Sequence, residues 1–258
     1  MDIQGLSAFE DNYIWLLREG RRIAVVDPGD ETPVLRYLAE ENASLAAILL
    51  THHHGDHTGG VAGLIARHPV PVFGPAGESI AGLTHPLREG DTVVLPGFQA
   101  HFQVIDVPGH TRGHIAYYCA AHDPGVLFCG DTLFACGCGR LFEGTADQMW
   151  SSLSKLAALP GNTRTYCAHE YTQSNIRFAQ AVEPGNTALH ARAAQVARLR
   201  SDAQPTVPFT LAEELATNPF LRGMQSEVAA SAERHCGKRL SGVSEVFAVL
   251  REWKNTFR

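Results

Sequence analysis

Residues 49–60 read LLTHHHGDHTGG. Four imidazoles and a carboxylate fall within positions 52–57, directly behind a run of aliphatic residues. Either this is a polar turn whose histidines face water, or the side chains converge on metal. The spacing favours metal. In extended chain alternate side chains share a face, so His52 and His54 point together while His53 points away. Asp56 and His57 follow Gly55, whose missing Cβ is expected to let the chain bend sharply and present a second pair of donors. A helical arrangement is the rival, because His53 and His57 stand four residues apart. Helix-borne metalloprotease ligands at that spacing carry a glutamate beside the first histidine. Here that place is His54, and Gly55 disfavours a helix, so an extended loop is expected.

The cluster leaves the run AAILL (46–50), which reads as a strand buried on both faces. Open α/β sheets place their sites at such strand ends. Three further donors follow other short apolar runs: His110 in VPGHT (107–111), Asp131 in FCGDT (128–132) and His169 in CAHE (167–170). His52, His54, Asp56, His57, His110, Asp131 and His169 together give five imidazoles and two carboxylates. These suit divalent zinc, manganese or iron. One catalytic zinc needs about three protein ligands plus water. Two ions roughly 3.5–4 Å apart, sharing a carboxylate, would use all seven. His53, His68, His85, His101, His122, His190 and His235 lack this context and read as surface or structural. His114 reads as a supporting residue, and Asp27, at another strand end, is placed to orient a ligand histidine through its second ring nitrogen.

The chain has 258 residues and is 45% hydrophobic, enough for one large domain or a main domain with an appendage. Its net charge of −6 opposes non-specific nucleic-acid binding. No apolar stretch approaches the ~18 residues that span a membrane, and MDIQGLSAFEDNY does not read as a signal peptide. The six cysteines are therefore expected to be reduced, in a cytoplasmic protein. Cys136 and Cys138 are too closely spaced for a structural zinc pair, and no second pair accompanies them. Strands are expected at 12–17, 23–26, 46–50, 92–95, 102–107, 114–119, 126–129 and 165–167, and helices at 31–41 and 146–159. After residue 172 the texture becomes helical, with segments at 173–182, 187–201, 225–236 and 242–254. The expected fold class is α/β over 1–169, followed by a small all-helical domain over 170–258.

The string Thr51–His57 matches T-H-x-H-x-D-H and so resembles the signature of the metallo-β-lactamase superfamily. The stretches PGHTRGHI (108–115), CGDTLFACGCGRLFEGTADQM (129–149), AHEYTQSN (168–175), NPFLR (218–222) and REWKNTF (251–257) resemble the glyoxalase II, or hydroxyacylglutathione hydrolase, family. The likeness covers nearly the whole chain. It implies an αββα sandwich with two metal ions at one edge. It assigns His52, His54 and His110 to one ion, Asp56, His57 and His169 to the other, and Asp131 to both. It implies hydrolysis of S-D-lactoylglutathione to D-lactate and glutathione, the second step of methylglyoxal detoxification. The expected nucleophile is a hydroxide bridging the ions and oriented by Asp56 and Asp131. No side-chain nucleophile is needed, and no serine here sits in a nucleophile elbow.

Glutathione carries two carboxylates, so its recognition calls for cations. Arg140 lies in the Gly-rich loop, and Arg251 and Lys254 share a face of the last helix. Alone, such a helical pair reads as a solvated face. The resemblance instead assigns Arg251 and Lys254 to the glycine carboxylate of the substrate, and Tyr171 to the tripeptide. Where many family members carry lysine and tyrosine, this chain has Arg140 and Phe142. The charge is kept and one hydroxyl is lost. A β-lactamase, a lactonase or a single-iron sulfur dioxygenase on the same scaffold are the competing readings. A nuclease is opposed by the acidic charge, and a closed metal-binding module by the number of donors. A monomer with no nucleic-acid or membrane partner is expected.

Overall fold

The computed structural model describes residues 1–257. The chain divides into two compact units: residues 1–107 with 111–130, and residues 108–110 with the chain from 131 onward.

The first unit opens with β1 (Asp2–Ala8), β2 (Asn12–Glu19) and β3 (Arg22–Val26), an antiparallel meander. Helix α1 (Glu31–Glu40) carries the chain to β4 (Ser44–Leu49), which pairs parallel to β3. Asp30 caps α1 by accepting from the Thr32 amide at 2.8 Å. Val34 and Leu38, one turn apart, bury the helix against the sheet core of Ile14, Leu16, Ile23, Val25 and Ile48. A parallel strand covered on both faces must be apolar throughout, which is why AAIL reads as an unbroken run. Helices α2 (Gly55–Thr58) and α3 (Val61–Arg67) lead to β5 (Val72–Pro75) and β6 (His85–Leu87), completing the order β1-β2-β3-β4-β5-β6. Strands β7 (Thr92–Val94), β8 (His101–Asp106), β9 (Ile115–Cys119) and β10 (Val126–Gly130) then form an antiparallel set. Tyr117 of β9 is fully buried and donates to Leu50 O at 2.8 Å, while Ile115 N donates to Thr51 O at 3.0 Å. These bonds tie β9 to the exit of β4, where the histidine cluster begins.

The second unit holds a short hairpin, β11 (Leu133–Phe134) with β12 (Gly137–Cys138), then α4 (Ala146–Ala157) and β13 (Arg164–Cys167). Next come α5 (Thr172–Val182), α6 (Thr187–Ser201), β14 (Phe209–Thr210), α7 (Leu211–Thr217), α8 (Ser226–Cys236) and α9 (Val243–Thr256). Capping boxes start α4 (Thr145 with Gln148) and α7 (Thr210 with Glu213). Phe178, Phe220 and Phe247 pack ring on ring among the helices, with centroids 5.7–5.8 Å apart. No helix among the described residues is long and apolar enough to cross a membrane.

The expected strands and helices are present to within a few residues at their ends. Elements β1, β5, β6, β11, β12, β14, α2 and α7 were not expected. Most are two to four residues long or interrupted by glycine or proline, too short for a period to register. The loop expected at 52–57 needs correction. Gly55 does not take a positive φ and makes no sharp bend. It starts the one-turn helix α2, with His54 as N-cap, and His57 N and Thr58 N both donate to His54 O. Glycine costs little at the first helical position, and Asp56 complements the positive end of the turn. His53 lies outside this helix, so the metalloprotease pairing still fails.

Candidate metal centre

In the first unit, His52 and His54 turn to the same side, with Nε2 of His52 3.1 Å from Nδ1 of His54. Thr51 Oγ1 lies 3.0 Å from the other nitrogen of His52. His57 is buried, its Nδ1 3.1 Å from Asp27 Oδ2 and its Nε2 3.5 Å from Asp56 Oδ2. Asp27 also accepts from Thr51 N at 2.8 Å and from Thr51 Oγ1 at 2.7 Å. One buried carboxylate thereby pins the strand exit and faces the ring of His57. The loop after β3 packs on α2 so closely that a Cβ on Gly29 would sit 1.9 Å from Asp56 O. Asn12 Nδ2 donates to Asp56 Oδ2 at 3.1 Å. His114, also buried, stacks on His52 with centroids 4.6 Å apart.

Glu78 carries no signal in the sequence. Its side chain is 3% exposed, with Oε2 3.0 Å from His53 Nδ1. Its Oε1 accepts from Gly113 N at 3.1 Å and from Thr111 Oγ1. His53, which reads as a surface histidine, thus has a buried carboxylate partner, and Glu78 braces the loop beside His52 and His54.

In the second unit, Asp131 faces two imidazoles. Its Oδ2 is 3.3 Å from His110 Nε2 and its Oδ1 is 3.3 Å from His169 Nε2. His110 Nδ1 lies 2.9 Å from Arg140 O, so that nitrogen carries the proton and donates. Nε2 of His110 is left as a lone-pair donor aimed at the carboxylate side. Gly139 is required here, because a Cβ would fall 1.9 Å from Asp131 O. Tyr171 stacks on His169 (4.8 Å, 2°) and Phe142 meets His110 edge-on (5.2 Å, 73°).

These spacings fit metal. Two atoms each about 2.0–2.1 Å from a tetrahedral ion lie about 3.3 Å apart. The facing donor pairs measure 3.1, 3.5, 3.3 and 3.3 Å. The ring nitrogens away from those pairs meet Thr51, Asp27 and Arg140 O at His52, His57 and His110, as metal-bound histidines require.

A cavity of about 460 Å³ within the second unit is lined by residues that include His110, Asp131, Arg140, Tyr171, Arg251 and Lys254, with Phe142 at its wall. Phe142 is 62% exposed. Lys254 Nζ donates to Ser174 O at 3.2 Å and Oγ at 3.1 Å. Burial, and then the charges of Arg251, Arg177 and Arg140, bring its pKa down to about 8. Arg251 is buried, not solvated, and its guanidinium donates to Cys138 O at 2.7 Å and Asn255 Oδ1 at 3.1 Å. The Cys138 thiol accepts from Arg251 at 3.6 Å, and burial pushes its pKa up. It is a packed, inert side chain.

Two family descriptions match the chain: the metallo-beta-lactamase superfamily over residues 9–169 and the hydroxyacylglutathione hydrolase C-terminus over 170–257. A hydroxyacylglutathione hydrolase of Cupriavidus taiwanensis is 55% identical, with all of both chains covered. Another from Pseudomonas paraeruginosa is 53% identical over the full length of both. Among solved structures, ETHE1 from Myxococcus xanthus superposes with a TM-score of 0.70 at 26% identity, covering 100% of this chain and 93% of that one. A protein solved in a di-iron-bound form is 31% identical, with a TM-score of 0.54 over 66% of this chain and 92% of its own. The relatives do not favour the sulfur dioxygenase reading. With both family descriptions matched end to end along the sequence, the chain belongs to the metallo-beta-lactamase superfamily and, within it, to the hydroxyacylglutathione hydrolases.

Proposed function

We propose that the chain hydrolyses 2-hydroxyacylglutathione thioesters, with S-D-lactoylglutathione as the expected substrate and D-lactate and glutathione as products. The observation that carries this reading is the cavity where His110 and Asp131 share walls with Arg140 and Lys254. Metal donors and carboxylate-binding cations line one space. We assign His52, His54 and His110 to one divalent ion, Asp56, His57 and His169 to a second, and Asp131 to both. Zinc suits these donors, as do iron and manganese. Such ions supply Lewis acidity, which acidifies water toward neutral pH and stabilises charge on a carbonyl oxygen.

The chain's own residues do the rest. Arg140 O holds His110 in a fixed tautomer, and Asp27 places a buried carboxylate beside the His57 ring. Asp56 and Asp131 carry carboxylate oxygens that accept from, and so orient, an attacking water. The leaving thiolate has a conjugate-acid pKa near ~8.5, so its departure needs no strong acid. Arg140 and Lys254 draw in the glutathione carboxylates, and the Tyr171 hydroxyl reaches the tripeptide. Arg251 contributes positive field more than direct bonding, because its terminal nitrogens are already committed. Phe142 offers an apolar wall without a hydroxyl. Residues 1–169 carry the chemistry and 170–258 the recognition of glutathione. The six cysteines are all thiols, which suits a reducing compartment, and we assign the protein to the cytoplasm, as a monomer without nucleic-acid or membrane partners.

Thiol release from S-D-lactoylglutathione tests this reading, and purified, metal-replete protein that releases none contradicts it. Lys254 gives the test a pH signature. Its charged form is present below pH about 8 and lost above it, so KM should climb as pH rises through 8 while kcat changes less. Lys254→Ala should raise KM roughly ten- to a hundredfold at pH 7, the loss of one charge-assisted bond of about 1.5–3 kcal/mol, and flatten that climb. The sign for stability follows from linkage. The folded pKa lies below the ordinary lysine value, so between about 8 and 10.5 the unfolded chain holds a proton the folded one lacks. Stability from this group therefore rises with pH across that window.

A further inference from the structure

The hairpin formed by β11 and β12 is short, with only two residues in each strand. A hairpin of that size has no independent stability. Its backbone is also buried, and every buried N–H and C=O must find a partner. Those partners are polar side chains of the helical tail. Asn218, at the end of α7, donates to Phe134 O at 3.3 Å and to Gly137 O at 2.9 Å. Asn175 of α5 donates to Ala135 O at 3.1 Å. Glu214 of α7, fully buried, accepts from Cys136 N at 2.9 Å. Arg251 of α9 donates to Cys138 O at 2.7 Å and Gly139 O at 3.4 Å. Six consecutive residues, 134–139, are each held at a backbone atom by the tail.

The holders are themselves held. Glu214 is paired with Arg192 of α6 at 2.6 Å and accepts from Asn218 at 2.7 Å, and Arg192 donates to Thr217 Oγ1 at 2.6 Å. Cys136 keeps a positive φ of 55°, which a non-glycine residue retains only where its surroundings fix it. There is no slack at Gly137, where a Cβ would meet Asn175 Nδ2 at 2.3 Å.

The ends of this hairpin are the metal centre. Asp131 enters it, Gly139 N closes on Thr132 O at 3.2 Å, and Arg140 leaves it with a carbonyl on His110 Nδ1. We propose that Asn175, Asn218, Glu214 and Arg251 are positioning residues for the metal ligands: through the 133–139 hairpin they set where Asp131 sits and which way His110 turns. The helical tail therefore builds part of the reaction centre as well as recognising the thiol half of the substrate. This rests on the metal assignment made above, and it adds to that assignment a cause outside the ligands themselves.

The test compares Asn218→Ala and Asn175→Ala with Arg222→Ala. Arg222 forms a 2.7 Å ion pair with Glu183 in the same unit and donates to Leu215 O of α7 at 3.1 Å, with no hydrogen bond to the hairpin. It controls for loss of tail stability alone. Zinc affinity is measured by competition with a chromophoric chelator, the visible spectrum of the cobalt-substituted protein is recorded, and kcat and KM are separated. Asn218→Ala should weaken zinc binding about 10–100-fold, the range for residues that support metal ligands. It should alter the cobalt spectrum and lower kcat while KM stays within about threefold. Asn175→Ala, which removes a single bond, should move the same way by less, and it carries the test if Asn218→Ala does not fold. Arg222→Ala should lower the melting temperature and leave zinc affinity and the spectrum as in the wild type. Asparagine variants that bind zinc like the wild type, or an Arg222 variant that loses it equally, overturn the inference alone. A wild-type chain that binds no zinc overturns the metal assignment and the inference with it.

Discussion

Asp131→Ala should lower kcat for S-D-lactoylglutathione by at least about a thousandfold, the scale of losing one full electrostatic stabiliser of roughly 4 kcal/mol. The carboxylate meets His110 with one oxygen and His169 with the other, both at 3.3 Å. Acids buried or nearly buried in the second unit are committed elsewhere: Glu214 to Arg192, Cys136 and Asn218, Glu183 to Arg222, and Glu170 to Thr206. The shortened side chain removes the carboxylate that faces both imidazoles, so metal content should fall with kcat. KM should move little, because the cations of the cavity are untouched. Steady-state kinetics with metal analysis checks this, and a variant within tenfold of wild-type kcat would remove Asp131 from the reaction.

Gly139→Ala should be nearly as damaging, from the opposite direction. Nothing is taken away. A methyl group is forced to within 1.9 Å of Asp131 O and 3.2 Å of His110 Nδ1. Backbone cannot yield as a flexible side chain would, and Arg251 clamps the same peptide through Gly139 O. Overpacking of this kind costs about 1–3 kcal/mol, and each kilocalorie lowers the melting temperature of a chain this size by roughly 2–4 °C. The displaced carbonyl also drags Asp131, so zinc stoichiometry should drop as well. Thermal melts with metal analysis read both effects. A variant that melts and binds zinc like the wild type would show that the Asp131–Gly139 approach is not tight.

Much of this was legible before any coordinates, and the exceptions have physical causes. The α/β class followed from unbroken apolar runs such as AAILL, which only a doubly covered strand explains. The seven donors stood out because histidine and aspartate are costly at the ends of buried strands unless something uses them. Asp27 could be placed by the same logic, and it lies against His57 and Thr51. Glu78 could not, because its partners His53 and Thr111 are 25 and 33 residues away and share no pattern with it. Helical spacing applied to charge alone reads Arg251 as half of a solvated pair, a reading the resemblance sets aside. Phe247, Leu250, Arg251 and Lys254 fall at i, i+3, i+4 and i+7, an inward stripe on which Arg251 is buried. The Gly55 bend failed for a related reason. Glycine permits a left-handed turn and does not impose one, and the amides of His57 and Thr58 found His54 O instead.

A metal titration tests the seven-donor centre head-on. The protein is stripped with a strong chelator, passed free of it, and assayed for thiol release from S-D-lactoylglutathione as zinc is returned in measured equivalents. The donor set predicts that stripped protein is inactive and still folded by circular dichroism, and that activity returns and saturates near two ions per chain. Stripped protein that still hydrolyses the thioester at the wild-type rate would contradict the account.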